Sequence, residues 1–164
     1  MPGNLKPKVV LAVIAGAVGG AVAIALMQLI SEYAGFPLML VPFATSIVLV
    51  MGTPEMPPSQ PRALVGGHLV ATLVGIIVFK VTWMSPWTPP WAVAAGAVGL
   101  AMIAMHATRT FHPPAGIDPF IVVLNEKSWD FLLVPVAAGA LLLAVFAFGW
   151  HNLVRRGAWP QRWW

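Results

Sequence analysis

The sequence predicts an all-α membrane protein with four long transmembrane helices and two short Pro-broken half-helices. Three observations carry that expectation. Hydrophobic residues make up 59% of the 164 and the mean hydropathy is +0.85. A soluble domain of this length cannot hide so much apolar surface, so the solvent must be lipid. The apolar residues also fall into runs of about 20, the length that crosses a ~30 Å hydrocarbon core. Finally, the polar residues gather between the runs, above all in Thr108–Phe120 (TRTFHPPAGIDPF), in a chain with 9% charged residues.

In order, Val9–Ile30 is the first long span. It is too long for the apolar core of a signal peptide and reads as a retained helix. Ala12, Gly16 and Gly20 fall four apart and form a small-residue stripe that admits another helix closely. After the polar break Ser31–Gly35 comes a shorter piece, Phe36–Met51, interrupted by Pro37 and Pro42. Gly52–Pro61 contains too many prolines to be helical throughout. Arg62–Trp83 is the next span, with Gly67, Ala71 and Gly75 as a second stripe and His68 beside it. Trp83, Trp87 and Trp91 surround the turn Met84–Pro90 as an interfacial aromatic belt would. Trp91–Ala107 is the third long span, Thr108–Leu124 the second broken segment, and Phe131–Asn152 the last long span. The tail, 153–164, has the Arg/Trp composition of an interfacial anchor.

By length the chain is one transmembrane domain, 1–164. The order long, short, long, then long, short, long suggests a duplication with halves 9–83 and 91–152. AGAVG recurs at Ala15–Gly19 and Ala95–Gly99, while Pro42–Ala44 aligns with Pro114–Gly116, and Gly67 with Gly139, at an offset of 72. If the short segments re-enter, the halves are parallel; if they cross, the halves are inverted. Six crossings would place Lys6, Lys8, Arg62, Arg109, Arg155, Arg156 and Arg162 inside and only Lys80 and Lys127 outside. The positive-inside rule therefore leans towards inversion, with both termini cytoplasmic and the protein in the cytoplasmic membrane.

The net charge of +4 comes mostly from those terminal Lys and Arg residues, which fit anionic lipid better than nucleic acid. With no cysteine, and no carboxylate at ligand spacing from His106 and His112, neither a metal nor a cofactor is expected.

The candidate site forms where the prolines start helices within the bilayer. Pro113-Pro114 suits a first helical turn, and Ala115 and Gly116 leave its backbone uncovered, so unpaired N–H groups can meet an anion. Phe43, Ala44, Thr45 and Ser46 after Pro42 build the same feature in the first half, with two hydroxyls. Arg109 is either a snorkelling interfacial arginine or a fork for two anion oxygens. His112 either bonds backbone left unpaired by the prolines or donates to substrate, and Arg62 and His68 would line the approach. Asp118 sits where it would repel an anion. It reads first as a capping residue or ion-pair partner of Arg109 or Arg62, and alternatively as a proton carrier.

HPPAG at His112–Gly116, PFATS at Pro42–Ser46, SQPRALVGGHL at Ser59–Leu69 and WDFLLVPVAAGALLL at Trp129–Leu143 occur in that order. The chain resembles the HPP family of small integral membrane proteins on these four blocks. The resemblance implies a four-spanning membrane protein and, from some plant and cyanobacterial members, nitrite transport. It departs from the family's pattern at Ile117, Asp118 and Pro119, where small residues and a hydroxyl are the rule, and at Ala44, where glycine is. The resulting expectation is a transporter or channel for a small inorganic anion, nitrite first, working as a homo-oligomer such as a dimer. A membrane scaffold without transport is the alternative. An enzyme is not expected, since His112 with Asp118 would be its only base and orienting acid.

Overall fold

Prolines and a left-handed glycine set most of the helix ends. In the computed structural model, which describes residues 6–82 and 87–163, helices supply all the regular structure among those residues. α1 is Pro7–Ala34, closed by Gly35 at φ +70°, the C-cap conformation that glycine adopts without strain. Helix α2 is Val41–Gly52, α3 Pro61–Thr82 and α4 Pro90–Ala107, each with proline in its first turn. A 3₁₀ turn, Pro113–Ile117, leads into α5, Asp118–Leu124. The last helix, α6, is Trp129–Val154. Four of them, α1, α3, α4 and α6, are long and apolar enough to cross a membrane, and two shorter apolar helical stretches lie between, as predicted.

The paired contacts give each segment its direction. Met39 N–H donates to Ser31 Oγ at 3.0 Å, Ile47 faces Gly20, and Met51 O faces Gly16. Segment 36–52 therefore runs antiparallel to α1 over about 22 Å, the rise of α1 from Gly16 to Ser31. α3 returns alongside it, with His68 beside Ser46 and Ile76 in the cluster that Leu40 packs against. α4 comes back against α3 through Ala71, Ala101 and Met105. The next stretch climbs α3 again, Thr110 and His112 at Gly67 and Pro119 at Gly75. α6 descends from Phe131 to His151, whose Nε2 meets Val50 O at 3.0 Å. The chain thus traverses the bundle six times in alternating directions.

Both small-residue stripes are used within the chain. A Cβ at Gly16 would lie 2.7 Å from Met51 O, and one at Gly75 would lie 2.7 Å from Pro119 Cα. The helix faces that remain outward are apolar: Leu11 and Val13 on α1, Ile103 on α4, and Leu141 and Val145 on α6 are exposed. That is a lipid-facing exterior.

Two elements depart from the sequence reading. The last span is not a plain helix: it widens into π-type turns at Leu132–Ala137 and Trp150–Val154, and Val134 leaves helical backbone at φ −133°, ψ 111°. Pro135 next to it supplies no N–H and crowds the preceding turn. The tail does more than lie along an interface. Trp159 is buried, Asn152 Nδ2 donates to Trp159 O, and Gln161 and Arg162 N–H both donate to Gln60 Oε1, which clamps the tail to the loop before α3. Trp87 and Trp91 are exposed as an aromatic belt requires, while Trp83 lies outside the described residues.

Candidate functional site

Where both short helices meet α3, five polar side chains come together with their backs to the lipid-facing surface. Ser46, His68, Thr72 and His112 are fully buried and Asp118 is 1% exposed. A buried polar group in such a bundle must find partners inside it. Each of these does. His68, two turns into α3, reaches both ways: its Nδ1 is 2.7 Å from Asp118 Oδ2 and its Nε2 2.9 Å from Ser46 Oγ. Thr72, one turn on along the same face, donates to the same carboxylate oxygen at 3.3 Å. Ser46 Oγ also meets His112 Nε2 at 2.8 Å, and the far nitrogen of that ring, Nδ1, lies 2.7 Å from Pro58 O. A continuous chain results, from Asp118 through His68, Ser46 and His112 to the loop before α3. Phe43 covers it, with its ring centroid 4.7 Å from that of His68, and the His68 and His112 centroids are 5.2 Å apart.

The sequence explains why these groups converge. Gly67 has no side chain, so the 110–112 backbone lies directly on α3: a Cβ there would be 2.6 Å from His112 Cβ and 2.8 Å from Thr110 O. Pro113 and Pro114 hold the next residues in a 3₁₀ turn that swings Asp118 back under His68. Ser46 and Pro42 lie one turn apart on the inner face of α2, so the hydroxyl also stands 3.0 Å from Pro42 O.

The remaining predicted residues divide around this cluster. Ala115 is buried against Ala71 and Met105, and a Cβ at Gly116 would have nothing within 4 Å. Ala44 and Pro114 are partly exposed, and Thr45 turns outward with its hydroxyl on Pro42 O. An apolar cleft of about 480 Å³ separates the two short helices, lined by Val41, Pro42, Thr45, Pro113, Pro114 and Ile117 among others. Arg62 and Arg109 stay outside the cluster. Both are exposed at the bundle end that carries Thr108, where Arg62 Nη2 donates to Thr108 O at 2.9 Å.

Three expectations change here. Asp118 is not the partner of an arginine: its carboxylate faces His68 and Thr72, because the chain after Arg109 climbs α3 from Gly67 towards Gly75 before Asp118 turns in. The oriented acid–base pair is accordingly His68 with Asp118 rather than His112 with Asp118. Several first-turn N–H groups of the short helices are also engaged. Phe43 and Ala44 N–H donate to Leu40 O, and Ala115 N–H donates to His112 O. Residues not anticipated are Thr72 and the Pro58 carbonyl. Thr72 was detectable, being four residues beyond His68 on one helical face; nothing in the sequence marks a loop carbonyl.

Comparison with known proteins agrees with this architecture. Two proteins of Dictyostelium discoideum, both described as transmembrane proteins, are 38% and 33% identical to the chain over 126 residues. The matched part is 74% of this chain in each case, and 40% and 44% of those relatives' lengths, so the chain spans less than half of either. No solved structure matches. The model of the transmembrane region of HPP proteins matches residues 6–160, nearly the whole length described, and the chain belongs to the HPP family of integral membrane proteins.

Proposed function

We propose that this membrane protein transports a small inorganic anion, with nitrite the first candidate. The observation that carries the reading is the buried polar cluster at the junction of both short helices with α3. Ionisable groups inside a membrane bundle are costly, and by default they point to a functional site such as an ion or proton pathway. The anion would engage the helix starts, Phe43–Ser46 and Ala115–Ile117, displacing first-turn bonds to Leu40 O and His112 O, two of which are of the i→i+3 kind whose geometry is poorer than that of an α-helix interior. Arg62 and Arg109 would act at the mouth, raising local anion concentration.

An inverted repeat is part of this reading, since such repeats place sites at their interface. A contact pattern supports it. Gly67 lies against Thr110 O and Gly139 against Leu38 O, and each residue of one pair is the counterpart of one in the other at the offset of 72. Both termini are cytoplasmic in this reading, and the protein lies in the cytoplasmic membrane. A homo-oligomer, a dimer in its simplest form, would close the open side of the cleft at Val41 and Ile117. A hydrolase is not proposed. Asp118, His68 and Ser46 do stand in the order of a catalytic triad, but Ser46 is fully buried under His112 and Pro42 O, with no room for an acyl group.

A scaffold without transport is the second reading. The observation favouring it is that every polar side-chain atom named in the cluster already has a partner within the chain. Flux of nitrite, nitrate, formate and chloride into liposomes carrying purified protein separates the two. Transport requires saturable flux of at least one anion; rates equal to empty liposomes for all four leave only the scaffold. Arg109→Gln is expected to lower uptake a few-fold at low ionic strength and hardly at all in high salt, because the group is exposed and screened.

A further inference from the structure

We propose that His68 and His112 share a single proton through the Ser46 hydroxyl, making this cluster a proton-binding and proton-transfer site with Asp118 as its counter-ion. The inference follows from which atoms can donate. Pro58 O only accepts, so His112 Nδ1, 2.7 Å away, carries a hydrogen. A neutral His112 then presents a lone pair at Nε2, and Ser46 donates to it across 2.8 Å. Serine has one hydrogen, and Pro42 O, also within its reach at 3.0 Å, already accepts from Thr45 Oγ1 at 2.8 Å. The 2.9 Å contact with His68 must therefore be made by a hydrogen on His68 Nε2. On the other side of that ring Nδ1 faces Asp118 Oδ2 at 2.7 Å, an oxygen already accepting from Thr72. The bonding pattern thus holds one proton more than a carboxylate and two neutral rings contain. Without it, two Nε2 lone pairs would face one hydroxyl hydrogen and a buried contact would be lost. With it, the cluster is electrically neutral, as a site deep in a membrane bundle should be.

The same contacts allow the proton to move. The hydrogen on His68 Nε2 passes to Ser46 Oγ while the serine's own hydrogen passes to His112 Nε2. One N–H and one O–H bond break, and one of each forms. His68 is left neutral, still donating through Nδ1 to Asp118, and His112 becomes the cation, still donating to Pro58 O. No contact is lost; only the bond directions through Ser46 reverse. Asp118 favours the charge on His68. Among the described residues the surrounding elements add no rival charge at the rings: α2 contributes Ser46 and Phe43, and α3 contributes Thr72. His106 of α4 is exposed and stacked on Phe111, while His151 of α6 is turned to Val50 O near Arg155. Arg62, Arg109 and Glu55 are exposed. Because Ser46 belongs to α2 and His112 to the start of the second short segment, movement of either opens or closes the path.

The test reads the rings directly and does not depend on which anion, if any, is transported. Protein labelled with ¹⁵N-histidine is placed in lipid bilayers near neutral pH, with His68 and His112 assigned by through-space correlation to Ser46 and Asp118. Three of the four ring nitrogens should be protonated, His112 Nδ1 among them, with both Nε2 signals shifted by exchange across the serine. Acidification should protonate the fourth in a separate step as the serine hydrogen turns to Pro42 O, 3.0 Å away. Ser46→Ala should abolish the exchange shifts, and Ser46→Thr should retain them. Two protonated nitrogens, four, or a neutral His112 bearing its hydrogen on Nε2 would each overturn the proposal. The wild-type count decides alone if the alanine variant does not fold.

Discussion

Gly67 has a Thr110 carbonyl and the Cβ of His112 where its own Cβ would stand, so the contact that builds the site depends on a missing methyl group. Gly67→Ala must displace backbone rather than a flexible side-chain end, and should destabilise by about 1–3 kcal/mol. Gly99, exposed on α4 with nothing within 4 Å of a built Cβ, provides the contrast. Gly99→Ala should be neutral or stabilise by up to about 1 kcal/mol, because alanine is the better helix former. Melting temperatures of both variants in one detergent check the pair, and equal shifts would contradict the contact. Asp118 offers a second comparison. Asp118→Ala strands His68 and Thr72 without an acceptor and should cost about 3–5 kcal/mol, the range for breaking a buried pair. Asp118→Asn keeps an acceptor oxygen in place and should cost less. The sequence marked Asp118 as anomalous because it is an acid at a helix start, but charge alone suggested arginine partners. Only the path of the Pro113–Ile117 turn reveals that a histidine is nearer.

Each short helix is preceded by extended backbone that has to satisfy its polar groups inside the bundle. In the first half Ser31 does this for Met39, accepting its N–H at 3.0 Å while donating to Met27 O at 2.8 Å. Ser31→Ala leaves the Met39 N–H without that acceptor and should lower stability by about 1–3 kcal/mol. Chemical or thermal unfolding of the variant in detergent measures it; an unchanged midpoint would mean that water or lipid headgroups already reach Met39. At this scale the sequence was readily legible. Proline placement and apolar run length located all four long helices and both short ones, because a bilayer permits few alternatives for such runs. The interior of α6 was not legible: π-type turns around Pro135 occur within a run of unbroken hydrophobicity, which registers span length but not backbone path. The first-turn N–H groups were misjudged for a related reason. Proline shows where a helix starts, whereas the bonding of its first turn depends on how the preceding residues lie.

For the whole molecule, the decisive feature is the direction in which each short segment runs. Packing of segment 36–52 antiparallel to α1, and of 110–124 antiparallel to α4, puts Lys8, Glu55, Arg109 and Arg155 at one end of the bundle, with Tyr33, Trp87 and Glu126 at the other. In a bilayer this arrangement is expected to make six crossings, two more than the four helices long enough to span by themselves. Had each short segment dipped in and returned, Glu55 and Arg109 would share a side with Tyr33, and Trp87 would share one with Lys8. The chain contains no cysteine, so single introduced thiols report without background. Thiols at Lys8, Glu55 and Arg109 should react with an impermeant reagent from the same face of oriented vesicles, and thiols at Tyr33 and Trp87 from the opposite face. These positions are all exposed, so a failure to label would not be a matter of burial. Glu126 lies opposite Lys8 under either arrangement and serves as the control. If Glu55 and Arg109 label together with Tyr33, the short segments re-enter the membrane, and the halves cannot be inverted.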